Sequence, residues 1–152
     1  MFKQVFYPSA LSITFFMAIS FSEPLFANTR ANTFIDNGNG TVTDTTTGLT
    51  WQQEIDINEP AVFSEASQFC ANLVLAGSTD WRLPRVKELI SIVDYRLTNP
   101  AIDDRFFPNT NNGFYWTTTP DGINPSLFRI IAFSNGISFS SNSGNLNYRC
   151  VR

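Results

Sequence analysis

Cys70 and Cys150 place the strongest constraint on what this chain can fold into. Cys70 sits in a stretch with helical spacing, and Cys150 lies in the terminal run Tyr148-Arg149-Cys150-Val151-Arg152. If the two are bonded, the last segment is stapled to the first helix and a loop of about 80 residues is closed. On the chain-entropy account such a closure stabilises a fold by roughly 4 kcal/mol. Two cysteines also occur as ordinary buried thiols.

The amino terminus weighs toward the bond. Residues 1–21 hold one cation, Lys3, no acid, and an apolar run from Val5 to Phe21 that Glu23 and Pro24 interrupt. Ala27 offers a small residue at a cut point before Asn28. This is the layout of a secretory signal peptide over residues 1–27. The rival, an uncleaved membrane anchor, is disfavoured by the short run, by Pro8 and by several hydroxyls. Export would deliver residues 28–152 as one domain to the periplasm or the exterior, where disulfides persist. Membrane contact would then be limited to the signal segment.

Composition removes whole classes of chemistry. The formal net charge is −3, so broad electrostatic binding of nucleic acid is not expected. The chain has no histidine. That excludes serine–histidine and cysteine–histidine nucleophile pairs and any histidine-ligated zinc or copper site. Asp103 and Asp104 are adjacent acids, with no sign of the paired, spaced carboxyls of a glycosidase. No cofactor and no metal is expected, and the oligomeric state is left open.

Along the chain, Asn37-Gly38 and Asn39-Gly40 mark a tight turn, followed by strands over 41–44 and 49–52 joined near Gly48, a small meander. Asp36, Asn37, Asn39 and Asp44 look faintly like an oxygen-ligand calcium loop, but Gly38 stands where such a loop wants an acid or amide, and a tight turn is the better reading. A helix follows, capped by Ser64, with Ala66, Phe69, Cys70 and Leu73 on one face, and with Gly77 as its terminator. A second helix is expected over 86–95 behind Pro84, with Leu89, Ile90 and Val93 as its stripe. Residues 96–112 read as a long loop, 113–119 as a strand and 120–125 as a second loop. Residues 127–133 and 137–140 form a hairpin about Asn135-Gly136, and 146–151 the last strand. The fold class is α+β.

Several strings resemble the Lcl C-terminal domain family, a bacterial family of largely unassigned function. They are residues 36–44 (Asp-Asn-Gly-Asn-Gly-Thr-Val-Thr-Asp), Thr47-Gly48-Leu49-Thr50-Trp51, Cys70-Ala71-Asn72-Leu73, Asp80-Trp81-Arg82-Leu83-Pro84, Glu88-Leu89, Tyr115-Trp116-Thr117 and Arg149-Cys150-Val151-Arg152. The likeness runs in order over residues 33–152. It implies a distant C-type-lectin-like fold: two helices packed on small antiparallel sheets, and a helix cysteine bonded to a cysteine on the final strand. Cys70 and Cys150 fit those roles. The calcium-binding Glu-Pro-Asn and Trp-Asn-Asp motifs of sugar-binding lectins are absent, since Asn58-Glu59-Pro60 is not in the corresponding region, and no collagen-like tract is present. An oxidase role of the kind known on the broader fold needs reactive cysteines, which a structural bridge would consume.

The resemblance and the residues together lead to an exported, non-catalytic binding domain that recognises glycan or protein ligands in the manner of an adhesin, at the bacterial envelope or outside the cell, with a glycan or an envelope or host-surface protein as its partner. The alternative is an assembly module docking onto an envelope complex. Loops 98–113 and 119–126 are the expected recognition surface, with Asn109, Asn111, Asn112, Trp116 and Asp121 as the expected ligand-binding residues. Trp51 and Trp81 read as core anchors. Trp116, beside the long loop, reads either as a core anchor or as a stacking face for a sugar. Arg82 with a neighbouring carboxylate reads as a fold-fixing ion pair, with an anion site as the alternative, and Arg149 and Arg152 read the same way near the cysteines.

Overall fold

The chain reverses direction through residues 37–40 because Gly38 and Gly40 take positive φ (68° and 81°). Asp36 Oδ1 accepts the Gly38 amide at 2.8 Å, and Asn39 Oδ1 accepts the Thr41 hydroxyl at 2.7 Å, so the acid and amide side chains close the turn itself. The computed structural model describes residues 33–152. The signal segment and its cleavage lie outside the described residues. The turn joins β1 (Phe34–Asp36) to β2 (Thr41–Asp44), and β3 (Thr50–Gln52) completes an antiparallel sheet in the order β1-β2-β3. Asp44 is buried and accepts from the Thr46 and Thr47 amides and the Thr47 hydroxyl, which fixes the β2–β3 turn.

Helix α1 spans Phe63–Asn72, with Ala66 and Cys70 fully buried. Ser64 does not cap it. Val62 holds the cap position in an extended conformation, without a side-chain bond. The reason is tertiary: Ala61 exchanges two 3.0 Å backbone bonds with Leu146, which holds the chain extended up to the first turn. Phe69 is off the buried face, at 43% exposure. Nor does Gly77 end the helix. The helix stops at Asn72, and Ala76 and Gly77 form a separate turn bridging Leu75 to Ser78.

Helix α2 is shorter than its periodicity suggests, Val86–Ser91. Glu88 Oε2 accepts the Arg85 amide at its start, and the Ser91 hydroxyl donates to the Glu88 carbonyl at its end. The apolar spacing continues past the helix as Ile92 and Val93, both buried with Leu89, whereas Ile90 is only half-buried. The second sheet consists of β4 (Phe114–Pro120), β5 (Phe128–Ala132) and β6 (Ser138–Ser141), antiparallel in that order. Gly136 makes the β5–β6 turn. Its φ is 77°, and a Cβ there would lie 2.5 Å from Val93 Cγ1, so both conformation and space require glycine.

Alternation along β4 and β5 sends side chains into two cores. Tyr115 and Ile131 join Trp51, Leu89, Val93, Phe107, Phe133 and Val151 in one; Trp116 and Ile130 join Ala66, Trp81, Leu83 and the cysteines in the other. The terminal segment is no ladder strand. It bridges singly to Ala61, Tyr115, Trp51 and Arg82, and so sews the first sheet, the approach to α1 and the second sheet together. Cys70 and Cys150 are bonded, with a Cα–Cα distance of 5.4 Å. The chain is thus α+β, with two small antiparallel sheets, two helices and a disulfide from α1 to the terminal segment.

Candidate functional site

Arg149 ties together the two chain segments that flank a polar groove. Its guanidinium is fully buried, and Nη1 donates to the carbonyls of Gln52, at 2.6 Å, and Gln53, while Nη2 donates to the Thr110 hydroxyl at 2.8 Å. It also lies 5.2 Å from the Phe107 ring centroid. Burial pulls its pKa down to about 10, which leaves it charged at neutral pH. Burial of Tyr115 pushes its hydroxyl up to about 12, with the nearby Arg149 acting in the opposite direction. One cation thus bolts the chain leaving β3 to the end of the 96–112 segment. The residues adjoining the bolted ones in sequence line an open groove of about 520 Å³: Glu54, Ile55, Asp56, Ile57, Asn58 and Asn109. Glu54, Asp56, Asn58 and Asn109 are exposed, so carboxylates and amides are presented together with the side chain of Ile57.

The long segment is less loop-like than its sequence. Ala101, Ile102 and Phe107 are buried in it, and the Ala101 amide donates to the Phe133 carbonyl at 2.6 Å. Its end is the part that reaches the groove. Asn109 borders the groove with a φ of 58°. Asn111 is committed to the scaffold, because its Nδ2 donates to Asn147 Oδ1 and its Oδ1 accepts from the Gly113 amide and the Tyr115 hydroxyl. Asn112 is exposed, with a 3.5 Å contact to Asn99 Oδ1.

Asp121 is elsewhere. Residues 98–113 precede β4 and Asp121 follows it, so a seven-residue strand, on the order of 20 Å long, separates the two expected loops. They do not form one surface. Asp121 accepts the Ser140 hydroxyl at 2.6 Å, the amides of Ile123 and Asn124, and Arg129 Nη1 at 3.2 Å. Those donors, Ser140 foremost, hold its carboxyl well below the usual carboxylate range. Trp116 is a second correction. Its ring has no exposed surface, and Nε1 donates to the Ala61 carbonyl at 2.8 Å, so it presents no stacking face. Trp51 and Trp81 are core anchors as expected.

The arginines near the cysteines fix the fold. Arg82 pairs with Glu88 through two bonds, at 2.7 and 2.8 Å, and Arg152 pairs with Asp80 at 3.0 Å. The wall residues Glu54, Asp56 and Asn58 escaped the sequence reading because the segment between β3 and α1 has no periodicity. Their one local signal is acids and an amide at alternate positions.

A family model described as the Lcl C-terminal domain matches residues 40–152. No curated protein and no solved structure matches the chain.

Proposed function

For a chain that belongs to the Lcl C-terminal domain family, residues 40–152 being its match, we propose the function of an exported, non-catalytic binding domain that recognises a glycan or protein ligand outside the cytoplasm. The observation that carries the reading is the groove between residues 54–58 and Asn109, whose walls are held by one buried arginine. Carboxylates and amides on a fixed frame suit hydroxyl-rich or peptide ligands, because the frame is ordered before binding. The disulfide supports an extracytoplasmic location. Two helices, two small sheets and a bond from the first helix to the terminal segment support a distant C-type-lectin-like fold. The test is binding of the full chain to a glycan array and to envelope and host-surface protein fractions, repeated with Asn109→Ala and Asp56→Asn. Loss of binding in both variants, with unfolding unchanged, supports the reading; retention in both moves recognition away from the groove.

The assembly alternative has one observation in its favour. Phe114 on β4 and Phe139 on β6 are 42% and 45% exposed and meet edge-on at 5.6 Å. A stable envelope partner recovered by crosslinking through this pair, without affinity for any glycan, favours that alternative.

A further inference from the structure

The outer face of α1 carries a half-exposed aromatic pair in acidic surroundings. Phe69 meets Tyr148 edge-on, with 5.1 Å between ring centroids. Phe69 immediately precedes Cys70, and Tyr148 stands two residues before Cys150, so the disulfide anchors both backbones and keeps the rings together. From Phe69 a groove of about 520 Å³ runs along the helix, lined also by Glu65, Gln68, Asn72, Leu73 and Val74, and Val74 is 70% exposed. On the Tyr148 side stand Asp56 and Glu59; partial burial, and then their negative charge, push the tyrosine hydroxyl up. Asp56, Glu59 and Glu65 are exposed, and among the described residues none of them is in an ion pair. No lysine or arginine occurs anywhere in residues 33–81.

We propose that this face docks a lysine- or arginine-bearing segment of a partner polypeptide. Three features of the surface converge on that chemistry. Aromatic faces attract ammonium and guanidinium groups, more strongly where water is partly excluded. Unpaired carboxylates around the rings supply acceptors for charge-assisted hydrogen bonds and draw a cationic segment in from solution. Leu73 and Val74 offer apolar surface for the methylene stems of the same side chains. An anionic membrane or a sulfated sugar would be repelled by the same carboxylates. The inference goes beyond the groove at Asn109, with which it shares only Asp56, and it stands or falls separately from glycan recognition there.

The test is an NMR titration of the isotope-labelled protein with a short capped peptide of alternating arginine and leucine, with a glutamate–leucine peptide as control. The expected result is shifts confined to residues 56–59, 65–74 and 148, absent with the acidic peptide, and an affinity that falls about tenfold as salt rises to about 0.3 M. Phe69→Leu, which keeps bulk but removes the ring, and the paired change Asp56→Asn with Glu59→Gln are each expected to weaken binding about tenfold. Asn109→Ala and Asp104→Asn, an exposed acid of the 96–112 segment, are expected to leave it unchanged. Equal weakening by Asp104→Asn, shifts spread over all acidic surfaces, or full affinity in Phe69→Leu would each overturn the proposal. A peptide site that fails while Asn109-dependent binding survives leaves the groove reading intact.

Discussion

Residues 33–81 and residues 82–152 treat charge in opposite ways. The first region holds seven acids and no cation; the second holds eight cations and five acids. In the second region four of the five acids are neutralised locally: Glu88 by Arg82, Asp94 by Arg96, Asp103 by Arg105 and Asp121 by Arg129. Two of these pairs repeat one device, in which an aspartate accepts both the backbone amide and the guanidinium of the arginine two residues on. In the first region, among the described residues, Asp80 alone is in an ion pair, with Arg152 from the far end of the chain. The carbonyls of Gln52 and Gln53 likewise receive their cation, Arg149, from the terminal segment. The second region therefore largely satisfies itself and also fastens the first, and of the acids left over in the first all but the buried Asp44 face solvent. Charges that a fold leaves unpaired are available to a partner, whereas those in local pairs mainly shape turns.

The largest expected effect tests the fastening. Replacing both cysteines with alanine should lower unfolding free energy by about 4 kcal/mol, read from urea midpoints. A loss under about 1 kcal/mol would show that the bridges of residues 146–151 hold the two regions together without the covalent bond. Next, Arg149→Met should cost about 3 kcal/mol, because the Gln52 and Gln53 carbonyls lose their donors in a buried site. That variant should also disturb the groove, giving amide shifts at residues 54–58 and 109 that the cysteine changes need not match.

Acid titration sharpens the contrast. Glu88, Asp103 and Asp80 have carboxyls held below their ordinary values, chiefly by hydrogen bonds from Arg82, Arg105 and Arg152 respectively. Groups depressed in the folded state give stability that is complete above their unfolded pKa, near 4, and drains away as pH falls through the lower folded values. Unfolding measured from pH 6 down to 2 should show this loss, and Glu88→Gln should flatten it while costing only about 0.5 kcal/mol at neutral pH, since the pair is partly exposed. The smallest effect belongs to the leftover acids. Asp56→Asn with Glu59→Gln should leave stability within about 0.5 kcal/mol of wild type, or raise it slightly by relieving repulsion. A loss of several kcal/mol would mean that those carboxylates are structural, and the contrast between the regions would fail.

Much was legible before any fold was known, wherever the determining interactions are local. The Asn-Gly turns, the meander, the β5–β6 hairpin and the existence of both helices follow from φ requirements and from period-2 or helical spacing, which neighbours in sequence settle between them. Helix ends were read less well. Ser64 has the chemistry of a cap, but the Ala61–Leu146 bridge decides where the chain first turns. The apolar pattern of 86–95 outlasts α2, because Ile92 and Val93 are buried without being helical. The site is the least legible part. Asparagine-rich loops signal exposed polarity, but not that Asn111 is consumed by Asn147 and Tyr115, nor that β4 separates Asp121 from Asn109.

By itself, then, the sequence determined the α+β class, the family and the acidic character of residues 33–81. Each follows from composition, order and short-range pattern. Only the tertiary structure decided that Cys70 and Cys150 meet, that Trp116 is buried under Ala61, and that Arg149 reaches Gln52, Gln53 and Thr110. The physical reason is the same in each case. These contacts join residues far apart in the chain, and the terminal segment that bridges both sheets makes most of them.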